Sequence, residues 1–255
     1  MRFKNKVVIV TGGAAGIGKV TSEEFAMEGA SVVIADIDSA QGTKTIEEMK
    51  KRELDVTFIK TDISKIQETK NLVDLTIQKY GQVDVLFNNA GIYKPGSAVE
   101  VSIDDWYKVM EINLFGAFYC SRFVLPHMMK KRDGVIINTA SVGGLIGYAG
   151  SVAYQTSKGG LVQMTRYMAT EYGEYNIRVN CIAPFMVDTS MLDVSRQELD
   201  VNMEDEKKLG ALNRVAKPIE IANSVLFLAE EKSSYITGTV LTIDAGFTST
   251  RVLRK

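Results

Sequence analysis

Histidine is almost missing from this sequence: among 255 residues, His127 is the only one. It follows Pro126 near the end of a helical pattern, far from the ends of the expected strands, so a Ser–His–Asp hydrolase has no base to work with. No histidine metal cluster can form either, and no metal is expected. Cysteine is nearly as scarce. Cys120 and Cys181 stand far apart in apolar surroundings, which excludes a CxxC redox pair or a thiolate metal site and leaves two small core residues. The formal net charge is only -1, so no overall field gathers nucleic acid or an anionic membrane surface. The basic runs Lys50–Arg52 and Lys130–Arg132 fall at the ends of helical patterns, where they complement the helix dipole. No segment approaches the ~18 consecutive apolar residues of a membrane helix. The opening MRFKNKVVIV carries an apolar run too short for a signal peptide and leads straight into a strand pattern. A cytoplasmic protein without membrane or nucleic-acid partners is expected. The single Trp106 and the near-helical set Phe115, Phe118 and Phe123 read as core or subunit contacts, not as a platform for stacked bases.

Short β-branched runs alternate with longer amphipathic stretches. The strands expected are Val7–Thr11, Ser31–Asp36, Val56–Thr61, Val83–Asn88, Val135–Thr139, Ile177–Ile182 and Thr239–Ile243. Between them lie helical patterns over Ile17–Glu28, Ala40–Lys51, Lys65–Tyr80, Ile103–Lys130, Val152–Tyr172 and Pro218–Glu230. Most of the strand runs are continuously apolar, as strands buried on both faces must be. The order predicts an α/β fold: a Rossmann-type, doubly wound, mainly parallel seven-stranded sheet with helices on both faces and a ligand crevice at the carboxyl ends of the strands. No linker-like tract or repeat interrupts it, so residues 1–255 are expected to form one domain. The polar, acidic, Met-containing stretch at about 186–214 is expected to lie over the crevice as a substrate lid.

Residues Thr11-Gly12-Gly13-Ala14-Ala15-Gly16-Ile17-Gly18 follow the first strand and open the first helix. In that place a glycine-rich string lets the backbone approach a pyrophosphate, whose charge the N–H groups of the helix start can hold. The spacing is G-x-x-x-G-x-G, not the more common G-x-G-x-x-G. Asp36 ends the second strand at about the distance from the glycines where a carboxylate accepts hydrogen bonds from the adenosine ribose. It would repel a 2′-phosphate, and the nearest positions, Ala15 and Ile37, supply no cation to neutralise one, so NAD is expected as cofactor. Tyr154 and Lys158 lie one helical turn apart on one face. A phenol is a poor base near neutrality, and a neighbouring ammonium stabilises its anion. Ser141, just past a strand end, can hydrogen-bond the same substrate oxygen, and Asn113 is a candidate to hold Lys158 or a proton-relay water.

Taken in order, the glycine loop, Asp62-Ile63, Asn88-Asn-Ala-Gly91, Asn113, Ser141 and Tyr154-Gln-Thr-Ser-Lys158 resemble the short-chain dehydrogenase/reductase family, in its compact NAD-preferring form. The likeness runs from about Lys6 to Phe247. It implies that Tyr154 is the general acid/base, that Ser141 positions the substrate, that Lys158 lowers the tyrosine pKa and binds the nicotinamide ribose, and that Asn113 completes a relay. It further implies that Gly12, Ala15, Gly16, Ile17 and Gly18 hold the pyrophosphate and that Asp36 and Ile37 meet the ribose. By the same likeness Asp62 and Ile63 contact the adenine, Asn89, Ala90 and Gly91 wall the cofactor, and Pro184, Val187 and Thr189 lie near the carboxamide. A homotetramer is implied, with residues 103–130 and 152–172 as contacts.

One departure stands out. The family usually has Pro-Gly where this chain has Pro184-Phe185, which places a side chain beside the expected nicotinamide pocket. Phe185, Met186 and Met191 are expected to form an apolar wall for the substrate, favouring a hydrophobic or ring-bearing compound. The expected activity is hydride transfer between NAD(H) and a secondary alcohol or ketone. The competing readings are an NADP-linked carbonyl or 3-oxoacyl reductase and a nucleotide-binding regulator without catalysis.

Overall fold

In the computed structural model, residues 1–193 and 207–250 are described. Seven parallel strands form one sheet in the order β3-β2-β1-β4-β5-β6-β7. They are β1 (Val7–Thr11), β2 (Ser31–Asp36), β3 (Val56–Lys60), β4 (Val85–Asn88), β5 (Gly134–Thr139), β6 (Ile177–Pro184) and β7 (Val240–Ile243). Helices α1 (Gly16–Met27), α2 (Ser39–Lys50), α3 (Ile66–Tyr80), α4 (Ile103–Met110), α5 (Gly116–Lys131), α6 (Val152–Tyr172) and α7 (Pro218–Ala229) connect them.

Alternate residues of each strand face opposite layers, which is why the runs read as continuously apolar. Val8, Val10, Val32, Ile34, Phe87 and Ile137 pack with Phe25 of α1, Met49 of α2 and Ile221 and Val225 of α7. Ile9, Val33, Leu86, Ile136 and Val179 face the other way, against Leu72 of α3, Val124 and Met128 of α5 and Met168 of α6. Cys120 and Cys181 are buried and unpaired. Among the described residues no helix is long and apolar enough to cross a membrane.

Element boundaries lie within two residues of the expected ones, with one correction. The long helix expected over Ile103–Lys130 is broken: α4 runs into a π-helical turn over Glu111–Phe115 before α5 begins. Periodicity alone does not reveal the extra residue of such a turn, since apolar positions on either side keep helical spacing. The turn carries Asn113 into the protein, where it is buried. The part of the expected lid at residues 194–206 lies outside the described residues.

The middle of the sheet also carries polar groups. Asn88 and Asn138 are in register across β4 and β5. The Asn88 amide donates to Asn138 Oδ1 at 2.9 Å and to Ser121 Oγ at 3.1 Å, and the Asn138 amide donates to Thr165 Oγ1 at 2.9 Å. These bonds fasten α5 to β4 and fasten α6, which carries Tyr154 and Lys158, to β5. Asn138→Ala removes two buried hydrogen bonds, from Asn88 and to Thr165, and should lower unfolding stability by about 2 kcal/mol, measured by urea denaturation; an unchanged midpoint would show that the asparagine contributes nothing net.

Candidate active site

All seven strands end on one side of the molecule, and a cleft of about 650 Å³ opens there. Its first wall is the loop between β1 and α1. Gly12 has a φ of 61° and Gly16 of 51°, both in the left-handed region that favours glycine. A Cβ on Gly18 would stand 2.0 Å from the Gly12 carbonyl oxygen, and one on Gly12 would stand 2.8 Å from Ala90 Cα. Gly18 therefore acts beneath the loop and does not itself line the cleft. Asn89 braces the same loop from β4, its amide donating to the carbonyls of Thr11 at 3.1 Å and Gly12 at 3.2 Å. No side chain caps α1, whose N-cap is Ala15, and its first turn holds no acidic residue. Uncapped N–H groups at a helix start beside a backbone cleared of side chains fit an anionic diphosphate.

Asp36, half-buried at the end of β2, accepts from Ala14 N at 3.1 Å and from Asp38 N at 3.1 Å. It thus holds the glycine loop as well as facing the cleft. Ile37 beside it is 60% exposed. Asp62 starts the turn into α3 by accepting from Ser64 N and Oγ, and Ile63 packs where a Cβ on Gly116 would meet it at 2.6 Å. Ala15, Gly16, Ile17, Ala90, Gly91, Pro184, Val187 and Thr189 also line the cleft. Thr189 reaches back across it, its Cγ2 lying 3.2 Å from where a Gly16 Cβ would be. Apart from Gly18, the expected cofactor residues therefore line the same cleft.

Ser141, Tyr154 and Lys158 share the opposite half of the cleft. The Lys158 ammonium lies 5.5 Å from the Tyr154 ring centre and donates to the Thr139 carbonyl at 2.6 Å. Burial draws that ammonium down to about 8, against a small opposing pull from Cys181. Burial also holds the Tyr154 phenol well above its ordinary value; nearby Tyr148 adds to the rise and a hydrogen bond with Ser141 opposes it. The phenol is thus a neutral acid beside a cation, the state from which a proton can pass to a carbonyl oxygen. Asn113 does not hold Lys158. Its Oδ1 accepts from Ile92 N at 2.8 Å, and its amide donates to Ile92 O at 2.9 Å and to Ser157 Oγ at 3.1 Å. It ties α6 to the chain after β4, which positions Tyr154 and Lys158 indirectly.

Phe185, Met186 and Met191 line the cleft as expected, but the Phe185 ring does not stand alone. It stacks on Phe247 with centroids 4.1 Å apart and planes 3° from parallel. Phe247, Tyr93 and Tyr148 are residues that the sequence reading missed. Tyr93 packs edge-on against Tyr154 at 5.3 Å. Tyr148 is pinned to α6 by Gln155, which accepts from its backbone N at 3.0 Å and donates to its carbonyl at 2.5 Å. The available signal was position: Tyr93 follows the Asn-Ala-Gly turn, Tyr148 lies between Ser141 and Tyr154, and Phe247 ends the Asp-Ala-Gly-Phe turn. His127 is exposed on α5, away from the cleft.

Known proteins resemble this chain over nearly its whole length. The family described as enoyl-(acyl carrier protein) reductase matches residues 12–248. The 3-oxoacyl-[acyl-carrier-protein] reductase FabG of Thermotoga maritima is 38% identical over 246 residues, 96% of this chain and 99% of that protein. The meso-2,3-butanediol dehydrogenase of Serratia marcescens is 37% identical over 249 residues, 98% of this chain and 97% of that protein. The crystal structure of levodione reductase superposes with a TM-score of 0.95 at 33% identity, covering 98% of this chain and 100% of that one.

Proposed function

This chain is an oxidoreductase of the short-chain dehydrogenase/reductase family, and on that premise we propose that it moves a hydride between NAD(H) and a secondary alcohol or ketone. The observation that carries the reading is the presence of Ser141, Tyr154 and Lys158 in the same cleft as the glycine cradle. A nicotinamide cofactor held along Gly12, Gly16 and Asp36 would supply or accept the hydride. In reduction Tyr154 gives its phenolic proton to the carbonyl oxygen and is left as phenolate, and in oxidation that phenolate takes the proton of the hydroxyl. Ser141 holds that oxygen by hydrogen bonding, and the Lys158 charge lowers the cost of the phenolate. The test is reduced-nicotinamide absorbance with a panel of ketones and secondary alcohols. Absence of turnover with every member, alongside tight NADH binding, would favour the regulator instead. The homotetramer belongs to the same proposal: exposed Tyr107, Phe115 and Phe118 on the α4–α5 segment and Tyr167 on α6 supply apolar surface for contacts.

The relative named as a 3-oxoacyl reductase supports a second reading, an NADP-linked reductase. Asp36 argues against it. A 2′-phosphate would meet a carboxylate in a partly desolvated cleft with Ile37 and Ala15 as neighbours. We therefore expect NAD to be preferred over NADP by at least roughly tenfold in kcat/KM, about 1.4 kcal/mol. Asp36→Ser with Ile37→Arg should narrow or reverse the ratio. Equal use of both cofactors by the unmodified enzyme would remove Asp36 from the role.

A further inference from the structure

The strand order separates the cleft into two chemical halves. Asp36 follows β2 and Asp62 follows β3, on one side of β1, whereas Ser141, Phe185 and Phe247 follow β5, β6 and β7 on the other. Among the described residues lining the whole cleft, only Asp36, Asp62 and Lys158 carry a full charge. The first two belong to the nucleotide half, and the third is hydrogen-bonded to the Thr139 carbonyl beside Tyr154. What remains in the acceptor half, beyond the Ser141 and Tyr154 hydroxyls, is chiefly aromatic and aliphatic: Tyr93, Tyr148, Phe185, Met191, Leu209 and Phe247.

The stacked phenylalanines are held from both sides before any ligand arrives. Phe185 N donates to Ile243 O at 3.2 Å, continuing the pairing of β6 with β7. Asp244 fixes the turn that carries Phe247, accepting from Gly246 N at 2.9 Å, from Thr248 N at 2.9 Å and from Thr248 Oγ1 at 2.6 Å. Ala211 N donates to Ala245 O at 2.7 Å and fastens the segment of Leu209 to the same turn. A flat apolar face rewards a partner that arrives flat and apolar, because a rigid ring has little conformational freedom to lose on binding. A carboxylate or phosphate carried into this half would be stripped of water, and the one cation among the described lining residues, Lys158, already donates to the Thr139 carbonyl.

We propose that the acceptor half takes an uncharged ring ketone or the corresponding ring alcohol, and that the Phe185–Phe247 pair selects for the ring. The proposal rests on the hydride-transfer reading above and narrows it to a substrate class. The test compares kcat/KM with NADH for cyclohexanone and 2-tetralone against 2-butanone, 4-oxocyclohexanecarboxylate and acetoacetyl-CoA. The uncharged rings should exceed the acyclic ketone by about tenfold and both charged compounds by about a hundredfold. In Phe247→Ala the ring-to-acyclic ratio should fall toward one, and in Phe247→Tyr it should be kept. The ratio is insensitive to a loss of folded enzyme, since both rates scale with it. Preference for an acyclic or charged substrate, or an unchanged ratio in Phe247→Ala, would overturn the ring proposal and leave hydride transfer standing. No reduction of any compound would overturn both.

Discussion

Replacing Tyr154 by phenylalanine should lower turnover by roughly two or more powers of ten while NADH still binds. The substitution keeps the ring that packs edge-on against Tyr93 and removes only the hydroxyl, so cleft shape is preserved. The proton that the substrate oxygen needs then has no donor in place. Ser141 cannot substitute for it, because a serine hydroxyl offers a hydrogen bond to the oxygen but gives up its proton far less readily than a phenol. Stopped-flow single turnovers and NADH fluorescence titration separate the two expectations. Near-normal turnover would remove Tyr154 from the acid/base role, and loss of NADH binding would show that the phenol is needed for the shape of the cofactor site.

The residues of this site were legible in sequence because each follows a strand or opens a helix, and the strands announce themselves by apolar runs. Gly12, Gly16, Asp36, Ser141, Tyr154 and Lys158 could all be located this way. The structure adds a reason for the glycine at position 12: its φ of 61° favours glycine, and a Cβ there would stand 2.8 Å from Ala90 Cα. What was not legible depends on side-chain direction. The π-helical turn that buries Asn113 leaves no mark on hydrophobic spacing, so the sequence pointed to Lys158 or a proton-relay water as its partner and did not show that its side chain bridges Ile92 and Ser157. Phe185 was legible as an apolar side chain beside the nicotinamide pocket, but nothing in a linear sequence shows that Phe247, sixty-two positions later, offers it a stacking partner.

On the roles proposed for it, Lys158→Met should damage turnover and cofactor affinity together, and should also stabilise the folded protein at neutral pH. Burial lowers the folded-state pKa of Lys158 to about 8 from an ordinary 10.5. A lysine whose folded pKa lies below its unfolded value binds its proton less well when folded, so the charged form costs stability at all pH values below 8. That cost shrinks as pH rises from 8 toward 10.5 and is gone above it. Methionine fills similar space without a charge, and the gain at pH 7 should be about 2 kcal/mol, less than the full shift implies because the hydrogen bond to Thr139 is also lost. Chemical denaturation at several pH values checks this: the difference between the two proteins should narrow with rising pH. A variant less stable than the parent at pH 7 would mean that the hydrogen bond to the Thr139 carbonyl outweighs the buried charge. A change in turnover without a change in NADH affinity would instead remove the ribose contact from Lys158.

The double engagement of Asp36 bears on how such an enzyme can change its cofactor over evolutionary time. Its two oxygens accept from Ala14 N and Asp38 N, so the carboxylate that faces the cleft is also a strut of the glycine loop. A single substitution there, made to admit a different nucleotide, would loosen the turn on which every nucleotide rests. The intermediate would be poorer with both cofactors before a second change, such as a cation at position 37, improved either. Mutational paths that first reinforce the loop, for instance through Thr45 and Gln41, whose side chains already donate to the Ala14 carbonyl, would avoid that valley. Cofactor choice in this protein is therefore historically sticky: the order in which substitutions arrive matters as much as their identity.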